Sequence, residues 1–166
     1  MAFRDTSIVI PPSRDGSRGC PFVYNVTMAV GKNCPNRRDD VKLVQFFLKR
    51  IYGNPANEAR RPPAQLKPLE IDGFCGPTTM GWITFYQFDV ARDGRAITTD
   101  DRIDRARSAV SSISRTGYTI NWLNFEWRND AIIIGDPDRL DLDPEVLSEH
   151  PDLAAAVSPA RFPATF

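Results

Sequence analysis

The chain has 166 residues, 42% hydrophobic and 25% charged, which allows one domain with a real core and places it among ordinary soluble globular proteins. Twenty-one basic residues balance twenty-one acidic ones, so there is no electrostatic footprint for nucleic acid or for an anionic membrane surface, and neither partner is expected. The longest apolar runs, such as Ala131-Ile132-Ile133-Ile134, fall far short of the roughly 20 residues a bilayer span needs.

Residues 1–32 read as an N-terminal arm. Ile8-Val9-Ile10 is followed by Pro11-Pro12 and the loop-like Ser13-Arg14-Asp15-Gly16-Ser17-Arg18-Gly19, the composition of an extended arm or flexible leader. The start Met1-Ala2-Phe3-Arg4-Asp5 lacks the apolar core of a signal peptide, so a cytoplasmic protein, or one exported to the periplasm or wall by a signal-independent route, is expected. Phe22 to Val30 is rich in β-branched and aromatic residues and ends at Gly31, which suits a short strand that could pair with a late segment.

Asn36 as cap, with Asp39 three residues later, predicts a helix whose stripe is Val41, Val44, Leu48 and Ile51, broadened by Leu43 and Phe47. Gly53-Asn54-Pro55 ends it. Residues 54–68, with four prolines, read as a surface loop of about fifteen residues, long enough to be an insertion. Asp72-Gly73 is then a turn dipeptide, Gly76 stands at an N-cap position and Pro77 at the first helical position, where its missing N–H costs nothing. Thr79, Ile83, Tyr86 and Val90 follow at helical spacing. Val41-x-x-Val44-Gln45 in the first helix is echoed by Ile83-x-x-Tyr86-Gln87 in the second, so two helices share one plan. Thr99-Asp100-Asp101 can cap a third helix containing Ile103, Ala106, Val110 and Ile113.

In the C-terminal extension, 116–166, Ile120, Leu123 and Trp127 have helical spacing, whereas Tyr118, Ile120 and Trp122 alternate as a strand would; helix is preferred. Ala131 to Ile134 reads as a short buried strand or apolar plug. Asp143-Pro144-Glu145 starts a brief helix, and residues 151–157 form another. These tryptophans and isoleucines either extend the core or make an interface.

The segments Asp40-Val41-Lys42-Leu43-Val44-Gln45-Phe46-Phe47-Leu48, Asp72-Gly73-Phe74-Cys75-Gly76-Pro77-Thr78-Thr79 and Ile83-Thr84-Phe85-Tyr86-Gln87 together resemble the peptidoglycan-binding-domain family, over about residues 33–107. That family reads roughly D-V-x-x-L-Q-x-x-L, then D-G-x-F-G-x-x-T, then a helix ending in F-Q. The resemblance implies a mainly α fold, a small three-helix bundle over 33–115 with N- and C-terminal extensions and a short strand pair. It also implies a noncatalytic module that binds peptidoglycan or its fragments and targets itself or a partner to the bacterial wall. The chain departs from the family in its long 54–68 loop, in Gly81-Trp82, and before the last helix, where Asp101-Arg102-Ile103-Asp104 keeps only part of a second D-G-x-x-G-like turn.

A wall site needs hydrogen-bond donors, an aromatic platform and one or two cations. Arg37, Arg38, Lys42, Thr78, Thr79, Trp82, Tyr86 and Gln87 supply these near the Asp72 loop, while Asp72, Gly73, Gly76 and Pro77 read chiefly as turn and cap. For Trp82, burial in the core or under the tail competes with a surface role. The alternative function is a protein-interaction or adaptor module of a secretion or phage system, holding a partner through the aromatic C-terminal segment.

No catalytic residue, metal or cofactor is expected. His150 is the single histidine and the three cysteines have no C-x-x-C pair, so a zinc site would need scattered ligands. Glu126, between aromatics, is the only glutamate in a setting that would raise its pKa, although a glutamate on the wet side of an amphipathic segment is the commoner case. Cys20 and Cys34 are close enough in sequence to pair under oxidising conditions or to remain separate thiols, and Cys75 reads as a small buried group.

Overall fold

The computed structural model describes residues 1–129 and 136–159. The expected strand or plug at Ala131–Ile134 therefore lies outside the described residues.

The chain is helix-rich and is built around α1, Arg38–Gly53. Every residue from Asp40 to Leu48 on this helix is buried, so it is wrapped on all sides rather than packed along one stripe. Its acidic first turn, Asp39 and Asp40, and its basic last turn, Arg50, match the helix dipole. The expected Asn36 cap does not form. Arg37 is the N-cap, without a side-chain cap bond, while Asn36 sits at φ 49° and spends its amide on both backbone groups of Gly31. Asp40 instead accepts the backbone amides of Thr27 and Met28, which ties the preceding segment to the helix start.

Helix α2 spans Pro77–Arg92, begins as the sequence indicates with Gly76 as N-cap and Pro77 first, and buries Thr79, Ile83, Tyr86 and Val90. Gly73 has φ +77°, and a Cβ there would meet Arg38 Cγ at 2.5 Å, so only glycine fits this turn.

The helix expected over Ile103 to Ile113 is absent. Strand β3, Val30–Gly31, pairs antiparallel with β4, Arg102–Ile103. Ile103 is buried by that pairing, and Ala106 is buried because the Asn25 side chain both accepts its amide and donates to its carbonyl. Extended backbone thus satisfies the two apolar positions that a helix would have used, and it leaves Val110 and Ile113 exposed. The helix that does follow is α3, Thr119–Asn129.

Residues 1–32 contribute directly to the core. Strands β1, Phe3–Asp5, and β2, Val23–Asn25, pair antiparallel, and Ile8, Cys20, Phe22, Tyr24 and Val26 are buried. The Asn124 side chain brackets the Tyr24 backbone, accepting its amide at 2.7 Å and donating to its carbonyl at 2.8 Å. Trp127 packs against Tyr24, Phe46 and Phe47, so one of the two C-terminal tryptophans extends the core. Helices α4, Pro144–Glu149, and α5, Pro151–Val157, close the structure. Asp143 caps α4 through the Glu145 and Val146 amides, and ion pairs from α1 hold both: Lys42 to Asp152, Lys49 to Glu145 and Arg50 to Asp143.

Between α1 and α2, Pro55–Arg60 forms a short 3-10 helix, and the rest of the loop folds back until the Trp82 indole donates to the Lys67 carbonyl. No helix of the described residues is long and apolar enough to cross a membrane.

Candidate functional site

Two equivalent polar clamps organise the loops. Gln45 on α1 accepts the Gly73 amide at 2.8 Å and donates to the Asp72 carboxylate, the Phe74 carbonyl and the Thr79 hydroxyl. Gln87 on α2 accepts the Asp101 amide at 2.9 Å and donates to the Asp100 carboxylate, the Arg102 carbonyl and the Thr119 hydroxyl. In both turns the aspartate accepts the amide two residues on, and the middle residue is left-handed, Gly73 at φ +77° and Asp101 at φ 60°. The threonines open α2 and α3 respectively. The second turn therefore starts at Asp100, one residue before the register read from the sequence.

This arrangement places most of the expected ligand residues inside the protein. Gln87 and Thr79 are buried clamp members, and Tyr86 is wholly buried. Trp82 packs on Tyr52 and Phe85, and the buried Lys42 ammonium is spent on Asp152 at 2.6 Å. Arg37 and Arg38 are exposed at the start of α1 and Thr78 is half-buried. Five of the eight side chains expected to face a ligand together are thus core or clamp residues, whereas Asp72, Gly73, Gly76 and Pro77 serve as turn and cap. Burial cannot be read from residue type here: a Gln that satisfies a buried loop and a Gln that meets a sugar look alike in sequence.

The sequence reading missed a groove between the N-terminal segment and residues 104–118. It measures about 1110 Å³, and its lining includes Thr27, Arg105, Arg107, Ser111, Ile113 and Tyr118. The Asn25 amide fixes the backbone at Ala106 and turns that side chain inward. Its neighbours Arg105 and Arg107 are exposed and line the groove. Arg105 lies over the Phe3 ring at 5.0 Å, and neither arginine has a carboxylate partner among the described residues. The only signal in the sequence was the Arg102, Arg105, Arg107 cluster, which reads equally well as a solvated helix face.

Glu126 is buried and faces a smaller pocket with Asn57, Arg60, Arg95 and Asn129. Burial raises its pKa, and Arg60 and Arg95 oppose that rise. With Arg95 at 2.5 Å and Arg60 at 3.3 Å its carboxylate is an ion-pair acceptor, continued through Arg60 to Asp89, which also takes the Tyr52 hydroxyl at 2.8 Å. This network ties α1, α2 and α3 together.

Among the described residues, Glu145, Glu149 and His150 bring metal-ligand atoms within 4.8 Å of one another. Glu145 already pairs with Lys49 and Arg50, so a cation would compete with two fixed charges. The three cysteines are free thiols, with Cys20 fully buried and Cys34 and Cys75 half-buried.

In comparison with known proteins, no family model, no curated protein and no solved structure matches the chain.

Proposed function

We propose that the chain is a noncatalytic module that binds bacterial cell wall, recognising peptidoglycan and so targeting itself or a partner to it. The observation that carries this reading is the duplicated glutamine clamp. The peptidoglycan-binding-domain pattern has a glutamine within its first helix, then an Asp-Gly turn, then a helix ending in Phe-Gln, with a second Asp-Gly-like turn before the last helix. Gln45 with Asp72-Gly73 and Gln87 with Asp100-Asp101 follow that plan in three dimensions. The likeness then runs on to α3 as the last helix of a three-helix unit, with residues 104–118 as an insertion ahead of it. An open groove carrying unpaired arginines and hydroxyls has the donor chemistry such a ligand needs.

The adaptor reading rested on the aromatic C-terminal segment. It has less support, because Trp127 is spent on the core and Trp122 sits half-buried under Arg95.

Co-sedimentation with purified sacculi at low salt tests the proposal. The protein pellets with sacculi and stays in solution without them; failure to pellet overturns the reading.

A further inference from the structure

The groove has a chemistry more specific than wall affinity in general. Among the described residues its charged lining consists of Arg105 and Arg107 against Asp5 and Asp104. Asp104 is paired with Arg102 at 3.1 Å, and Asp5 accepts the Ser7 amide and hydroxyl and the Asn25 amide. Both carboxylates are thus occupied from within, while the two guanidiniums, which flank the inward Ala106 and both line the groove, have no carboxylate partner among the described residues.

An uncharged glycan strand would call for open aromatic faces. Among the described residues Tyr118 is the one aromatic lining the groove, and the nearby Phe3 ring is covered by Arg105. Two adjacent forks of N–H donors instead match carboxylates. Ser111 and Ser112 add hydroxyls for peptide backbone, and Met28 and Ile113, the latter 95% exposed, add apolar contact for methyl-bearing residues.

We propose that this groove takes the carboxylate-bearing stem peptide of peptidoglycan, with Arg105 and Arg107 as its anchors. The proposal rests on the wall-binding reading and specifies which part of the wall is held. Charge supplies much of the attraction, so binding weakens as salt rises.

The test titrates the full chain by NMR with free stem tetrapeptide, with the same peptide carboxyl-amidated, and with an N-acetylglucosamine tetramer. It repeats the titrations and the sacculus sedimentation with the R105Q/R107Q variant. Both side chains are exposed, and an unchanged urea midpoint verifies the variant's fold. The free peptide is expected to shift groove resonances, with affinity falling by about tenfold or more on amidation and in the variant, as loss of charge-assisted forks requires. A variant that binds peptide and pellets like wild type overturns the groove proposal and leaves wall binding standing. So does a sugar tetramer that occupies the groove in place of the peptide. A wild type that binds peptide without pelleting overturns wall binding alone, and one that does neither overturns both.

Discussion

Gln45 and Gln87 perform the same task one helix apart, each gripping the left-handed residue of an Asp-led turn, Gly73 at 2.8 Å and Asp101 at 2.9 Å. Each also spreads its amide nitrogen over a carboxylate, a carbonyl and a threonine hydroxyl. Replacing either by leucine strands several polar groups at once. Gln45→Leu and Gln87→Leu should each lower stability by about 2 kcal/mol or more, measured by urea unfolding. A large loss at one site with none at the other would show that the two clamps are not equivalent.

Tyr86 is wholly buried and its hydroxyl has no hydrogen-bond partner among the described residues. Removing an unsatisfied polar atom is favourable, so Tyr86→Phe should raise stability by about 1 kcal/mol. Tyr86→Ala should cost about 3–5 kcal/mol through the cavity it leaves. Loss of wall binding in the alanine variant would therefore report unfolding, which circular dichroism on the same sample distinguishes.

Lys42 and Asp152 are unequal partners, the lysine buried and the aspartate half in water. Removing Lys42 as Lys42→Met leaves a carboxylate that water can solvate. Removing the aspartate as Asp152→Ala leaves a buried ammonium with no counter-charge. The thermal midpoint should drop further for Asp152→Ala than for Lys42→Met, and α5 amides should exchange faster in the former. Equal drops would mean that the ammonium finds water without the aspartate.

Two groups make stability depend on pH in opposite directions. At Asp72 burial pushes the carboxyl up, but bonds from the Phe74 amide and Gln45 outweigh it and hold the pKa below the usual range. Its contribution is present above about pH 4 and lost as pH falls through the depressed value. Asp72→Asn keeps an acceptor without the charge, so its urea midpoint should fall less steeply between about pH 5 and 2 than that of wild type. Burial moves Tyr24 up to about 12. The stability it lends is present below about pH 10 and lost as pH rises through its folded value. Absorbance at alkaline pH should show Tyr24 ionising together with unfolding; a transition at the ordinary tyrosine pH with the fold intact would contradict its burial beside Leu140.

The sequence by itself determined α1 and α2. Their apolar spacing is unbroken, and Gly76-Pro77 and Asp72-Gly73 act through local backbone preferences that hold wherever the chain goes. It also determined the starts of α4 and α5 through Asp143-Pro144 and Pro151. Tertiary structure decided the segment from Asp100 to Tyr118. Ile103 and Ala106 have helical spacing, yet pairing with Val30 and capture by Asn25, 81 residues away in the chain, make extended backbone the better solution. Residues 1–20 likewise read as an extended arm or flexible leader, yet Ile8 and Cys20 are buried, and the Phe22–Val30 stretch that follows is held in the core where Asn124 satisfies the Tyr24 backbone across 100 residues. Five of the eight expected ligand residues turned inward for the same reason. A side chain's exposure depends on what the distant chain brings against it, and that is why Gln87 became a clamp while Arg105 and Arg107 were left facing the groove.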